Sequence, residues 1–248
     1  MGYDMFEIQY KIVPFDYDEF VGQDGFLKIR VNDSYFGEIW PDELDDVMET
    51  EYLCDWMERL ARVCEYLETN DYVALSETDS DSRWIEFKRE GGNVFISLVE
   101  APKKIGSGII EREPLEVTAY EWKNQAVSYQ EFCDELYRKI GEYVRCLKEN
   151  NENTDGFKYL LDAFEAVKSM EDKAFCDEVL QGLTHKGEEL LQLRTCAFRY
   201  KSLGMNEQEM LNSLEALRKK VGREEEEDVI LVLMDQIGGW CHKDLRIF

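Results

Sequence analysis

A chain of 248 residues with 44% hydrophobic and 12% aromatic residues can bury a real core as one large domain or two small ones, and this composition excludes general disorder. Its 54 acidic and 29 basic residues give a formal charge of −25, which disfavours nucleic acid phosphates and anionic membrane surfaces and favours cationic proteins as partners. Solubility alone is the competing explanation, but the charge is uneven: residues 1–82 hold 22 acids and 5 bases (−17), and residues 83–248 hold 32 and 24 (−8). A uniform solubility coat has no reason to gather at one end of a chain; a local acidic surface does.

The first residues carry Asp4 and Glu7 and lack the basic start and apolar run of a signal peptide. No apolar run reaches the roughly 18 residues that a membrane span needs. Seven cysteines (Cys54, Cys64, Cys133, Cys146, Cys176, Cys196 and Cys241) are scattered, odd in number and without a CxxC pair. That is the pattern of reduced thiols, and a cytoplasmic location is expected.

Phe6, Ile8, Tyr10 and Ile12 alternate with polar neighbours, as a half-buried strand does. Turn chemistry at 22–25 leads to a second strand carrying Leu27, Ile29 and Val31, and Asn32-Asp33-Ser34 is a hairpin turn into 35–40. Pro41-Asp42 then opens a helix over 42–68 with Leu44, Met48, Leu53, Trp56, Met57, Leu60 and Leu67 on one stripe. Its other faces carry Asp42, Glu43, Asp45, Asp46, Glu49, Glu51, Asp55, Glu58, Glu65 and Glu68, offset only by Arg59 and Arg62. A polar loop over 76–82 precedes strands at 83–88 and 93–99, joined through Glu90-Gly91-Gly92, and a further strand is expected at 115–122. Ser128 and Glu131 form a capping box for a helix with Phe132, Leu136, Ile140, Val144 and Leu147 on its stripe.

Residues 150–156 have no apolar side chain and are the best linker. Beyond them everything reads as helix. A helix capped by Asp155 is followed by a second over 171–181 and a third over 186–203 closed by Gly204. A fourth opens at Asn206, and a fifth runs from Glu224 to Gly238-Gly239. The expected fold is therefore α+β: an N-terminal antiparallel β-sheet with an acidic helix in residues 1–150, followed by an all-α helical bundle in residues 151–248.

Catalytic signatures do not emerge. The only histidines are His185 and His242, and no Ser–His–Asp or Cys–His arrangement follows from spacing. Cys241-His242 has no partner pair at zinc spacing, so Cys241 is expected to be an inert core thiol. Neither 22–25 nor Gly106-Ser107-Gly108 has the context of a phosphate loop. Counting an EF-hand loop from Asp79 puts Trp84 where glycine is required. The run Glu224–Glu227 suits a helix N-terminus. No enzymatic activity, cofactor or metal is expected.

The acidic helix is the candidate site. Ten acids against two bases, many at like-charge i,i+3 and i,i+4 spacing, cost helix stability. A solvated face is the plainer reading and a partner surface the functional one. In the functional reading Asp42, Glu43, Asp45, Asp46, Glu49, Tyr52, Asp55 and Glu58 bind the partner, and Trp40, Tyr52 and Tyr66 supply aromatic anchors.

The C-terminal elements Leu203-Gly204-Met205-Asn206-Glu207-Gln208-Glu209-Met210-Leu211, Leu214-Glu215-Ala216-Leu217-Arg218, 224–234, Gly239-Trp240-Cys241 and Leu245-Arg246-Ile247-Phe248 resemble small bacterial proteins of polymorphic-toxin and immunity loci. Residues 1–150 resemble α+β immunity-type domains in their order of strands, acidic helix and strands. The resemblance implies an immunity protein that neutralises a cationic toxin, a nuclease foremost, by occluding its active site, and it carries over no catalytic residue. The competing readings are a nucleic-acid mimic, an enzyme or small-molecule binder with a pocket near Trp84, Trp122 or Trp240, and an acidic structural subunit. The tail 245–248 suits either an intrachain plug or a homodimer contact.

Overall fold

The computed structural model describes residues 5–16, 18–37, 50–78, 80–103 and 108–248. The chain divides into two compact units, Met1–Val167 and Lys168–Phe248. The fold is α+β, with antiparallel sheets in the first unit and helices in the second.

The first unit begins with a sheet built on one central strand. β1 (Phe6–Ile12) pairs with β2 (Asp24–Val31) from Phe6↔Val31 to Ile12↔Gly25. The other edge of β2 carries β3 (Ser34–Gly37) and the two-residue β4 (Glu51–Tyr52). The β2–β3 turn holds Asn32 at φ 55°, a left-handed position that asparagine tolerates better than most residues. Gly25 is required where it stands, because a Cβ there would lie 2.1 Å from the Lys11 carbonyl oxygen.

Helix α1 (Leu53–Leu67) follows β4 directly, and ten of its fifteen residues are buried. The helix expected from 42 is thus described only from 53. Glu51 and Tyr52 belong to a strand, and 42–49 lie outside the described residues. β5 (Tyr72–Ser76), β6 (Arg83–Glu90), β7 (Asn93–Glu100), β8 (Ile110–Glu111) and β9 (Ala119–Ser128) form a second sheet, ordered β8-β5-β6-β7-β9 and antiparallel throughout. β5 leaves no signal in the sequence pattern, because all five of its residues are buried and nothing alternates. The strand expected from 115 starts at Ala119. Leu115 and Val117 instead pack as a loop against a cluster containing Trp84 and Val99.

α2 (Tyr129–Asn150) starts at the foreseen Ser128 cap, whose Oγ accepts from the Glu131 amide at 3.1 Å. It touches both sheets, with Phe132 4.8 Å from Phe6 and 5.7 Å from Phe87 between ring centres. Glu135, buried, accepts from the Ile8 amide at 2.9 Å, and burial raises its pKa despite that bond and Arg138. The expected linker is tied to the first unit. The Asn151 side chain accepts from the Val21 amide at 2.8 Å and donates to its carbonyl at 2.9 Å, and Phe157 is buried with its ring 5.3 Å from Phe20. The division between units therefore falls later than 150–156, within α3 (Lys158–Gly182). This is one continuous helix where two were expected.

The second unit packs the end of α3 with α4 (Glu189–Leu203), α5 (Glu207–Arg218) and α6 (Glu224–Ile237) around Phe175, Leu193, Tyr200, Met210, Leu214 and Leu233. Gly204 closes α4 at φ 106°, and Asn206 with Glu209 forms a full capping box for α5. Glu224 to Glu227 occupy the first turn of α6, the end that favours negative charge. Ile247 is buried and its amide donates to the Gln236 carbonyl at 2.9 Å, so the tail plugs its own unit at that residue. Among the described residues no helix is long and apolar enough to cross a membrane.

Three substitutions test this packing and capping. Gly25→Ala is expected to lower unfolding free energy by about 2–3 kcal/mol in urea melts, the usual cost of overpacking, whereas Gly92→Ala, with nothing near its Cβ, should stay within about 0.5 kcal/mol. Asn206→Ala should cost about 1 kcal/mol through the lost cap.

Candidate functional site

A concave surface of the first unit lies where the β3 edge meets the starts of β6 and β9. It is a groove of about 650 Å³. Four carboxylates (Asp33, Glu51, Glu77 and Glu121) and one cation, Arg83, are among its described lining residues. Phe26, Tyr35, Phe36 and Trp122 supply its aromatic surface.

Sheet register assembles these groups. Arg83 pairs with Glu100, and Glu100 with Ala119, so Arg83 and Glu121 approach across β7. A turn in which Ser80 Oγ accepts from the Arg83 amide at 3.0 Å fixes where β6 begins. The Arg83 guanidinium then bridges Glu77 at 3.3 Å and Glu121 at 2.7 Å and lies 5.6 Å from the Phe36 ring centre. Trp122 Nε1 donates to the Tyr35 carbonyl at 3.2 Å, joining the second sheet to the β2–β3 hairpin. At the rim Lys28 Nζ lies 4.7 Å from the Tyr35 ring centre. Glu51 accepts from Trp56 Nε1 at 2.7 Å, which orients its carboxylate from below. The result is a half-open hollow with excess negative charge, aromatic walls and one guanidinium holding two carboxylates in place. Such a surface suits an incoming cation, which can share carboxylates and face an aromatic ring.

The residues expected to bind a partner fall into two groups. Asp42, Glu43, Asp45, Asp46 and Glu49, with Trp40, lie outside the described residues. Gly37 and Glu51, which bracket them in sequence, both line the groove. Tyr52 is exposed on β4, and its hydroxyl is pushed up to about 12 by partial burial and then by Cys54, Glu19, Asp24 and Asp55. Asp55 and Glu58 project from α1, each opposite an arginine four residues on: Arg59 at 2.6 Å and Arg62 at 3.6 Å. The two arginines expected to offset the acids of this helix therefore pair with Asp55 and Glu58 within it.

Arg59 explains part of that pattern. It is buried, stacks 4.4 Å from the Trp56 ring centre and donates to the Ser76 carbonyl at 3.1 Å and Thr78 Oγ1 at 2.8 Å. Burial lowers its pKa, and the Asp55 and Glu51 carboxylates oppose that shift. Asp55 thus anchors the guanidinium that links α1 to β5.

Elsewhere the candidate chemistry disperses. His185 and His242 are exposed, and His242 Nδ1 lies 3.3 Å from Asp244. Cys241 is half-buried at the surface rather than in the core, because the chain leaves α6 at Gly238 and turns outward. Trp84 is fully buried, Trp240 is exposed, and Trp122 alone of the three lines the groove. Among the described residues no group of three or more His, Cys, Asp or Glu is placed to hold a metal ion. Asp33, Glu77, Arg83 and Glu121 went unrecognised as a site in the sequence, since no local motif joins four residues drawn from separate elements.

No family model, curated protein or solved structure matches this chain.

Arg59→Met, which leaves the Ser76 carbonyl without its donor, is expected to reduce stability by about 2–4 kcal/mol, read as a lower urea midpoint with an unchanged slope. An unchanged midpoint would mean that Arg59 does not tie α1 to β5.

Proposed function

We propose that the chain is a cytoplasmic protein-binding inhibitor, specifically an immunity protein that occludes the active site of a cationic toxin. A nuclease is the fitting class, because an enzyme that holds phosphate must be basic where it does so. The observation that carries this reading is the acidic, aromatic-walled groove. It sits in the unit that has 38 acidic and 17 basic residues, against 16 and 12 in Lys168–Phe248.

The division of labour follows from the chemistry. The field of the first unit, including Asp42, Glu43, Asp45, Asp46 and Glu49, steers a cationic partner and raises its association rate. A lysine or arginine of the partner then enters the groove, where Glu77 and Glu121 are already held by Arg83 and desolvation strengthens the contact. Aromatic surface from Tyr35 and Trp122, with Tyr52, Asp55 and Glu58 on the adjoining β4–α1 segment, slows dissociation. The C-terminal bundle is a second module.

A small-molecule reading has one specific observation in its favour: a groove of about 650 Å³ at Trp122 is within the usual size of ligand sites. Its ligand would be an organic cation.

The test is co-expression with the product of the neighbouring gene, scoring growth rescue and co-purification at about 0.15 M and about 0.5 M salt. Rescue and a salt-weakened complex are expected, and Glu77→Lys with Glu121→Lys should weaken that complex by about a hundredfold or more. A neighbour that is not toxic and does not bind would remove the immunity reading. Binding of an organic cation in that case would favour the small-molecule one.

A further inference from the structure

We infer that the outer face of α4 and the tail beside it form a docking surface for a carboxylate-bearing amphipathic helix of a second protein. This surface belongs to the second unit and uses none of the groove residues.

A helix that packs on one core needs one apolar face. The core face of α4 is Leu193, Cys196, Ala197 and Tyr200, all buried. At 100° per residue Leu191 and Phe198 fall on the opposite side, and they are 63% and 44% exposed. The outer side of α4 thus carries two large exposed apolar residues, interleaved with Thr195 and Ser202, that its own unit does not use. The tail widens that face. Ile247 plugs the core, while Leu245 and Phe248 remain exposed beside α4. Arg194 Nη1 donates to the Leu245 carbonyl at 2.8 Å, and Lys201 Nζ lies 4.7 Å from the Phe248 ring centre. Trp240, 86% exposed, leaves the fold beside Gly239, whose own surroundings include the Arg246 guanidinium.

Charge identifies the occupant. Arg194 and Lys201 spend their hydrogen bonds on Gln236 Oε1 and on the carbonyls of Leu245 and Ile247, not on carboxylates. Among the described residues Lys243 and Arg246 form no ion pair either, and the one carboxylate between them, Asp244, lies 3.3 Å from His242 Nδ1 and is itself exposed. In a chain of net charge −25, four cations against the single carboxylate of Asp244 beside exposed Leu245, Phe198, Phe248 and Trp240 make a locally positive edge. Its complement is apolar on one side and acidic at the edges. An extended nucleic acid strand would meet the rest of the chain's negative field.

The experiment uses the full chain and a fluorescent model peptide with leucines at helical spacing and glutamates on the remaining positions. Anisotropy should rise with the wild-type chain. The apparent Kd should weaken at least tenfold in Phe198→Ser and in Lys243→Glu/Arg246→Glu, all at exposed positions, with circular dichroism melts checking that each variant is folded. Equal binding by folded wild type and variants would overturn the proposal, as would no binding. Loss with Phe198→Ser but not with the charge reversals would overturn the acidic character of the partner. A dimer in sedimentation that Phe198→Ser dissolves would replace the partner with a second copy of this chain.

Discussion

Helix α1 has to satisfy a helix and strands of two sheets at once, and the first unit is arranged around that demand. Ten of its fifteen residues are buried, and it packs against β2 of one sheet, β5 of the other and α2. Burial on this scale leaves no room for an uncompensated charge, so the one guanidinium that enters, Arg59, is fully engaged by Trp56, Asp55, Ser76 and Thr78. α2 repeats the pattern, with Phe132 between Phe6 and Phe87 and Glu135 bound to the Ile8 amide. The two sheets are also linked directly at the groove. Trp122 of β9 bonds to Tyr35 of β3, and Arg83 of β6 reaches the Phe36 ring.

Charge and burial divide the acids into different roles. Asp55, Glu58 and Glu135 each pair with an arginine and serve the fold. Glu77 and Glu121 share a single arginine in a half-open hollow, so their negative charge exceeds what the fold consumes. On the proposed reading, that excess is what a cationic partner would meet.

The fold was legible where burial is one-sided. β1 and β2 follow from alternation, and the caps at Ser128, Asn206 and Gly204 follow from local hydrogen-bond chemistry. It was illegible where burial is two-sided or context decides. β5 has no alternation, Leu115 and Val117 pack without pairing, and polar Asn151 ties down a segment that its composition marks as a linker. The acidic first unit was visible in the charge distribution. The groove was not, because Asp33, Glu77, Arg83 and Glu121 come from a turn, a loop and two strands far apart in sequence, and residue types alone do not specify how these meet.

If a cationic partner is held at the groove, an amide hydrogen-exchange footprint of the full chain with and without that partner will show where it sits. Added protection is expected on β3, at Glu51 and around Glu121-Trp122, with Lys168–Phe248 unchanged. Protection confined to Lys168–Phe248, or none at the groove in a saturated complex, would contradict it.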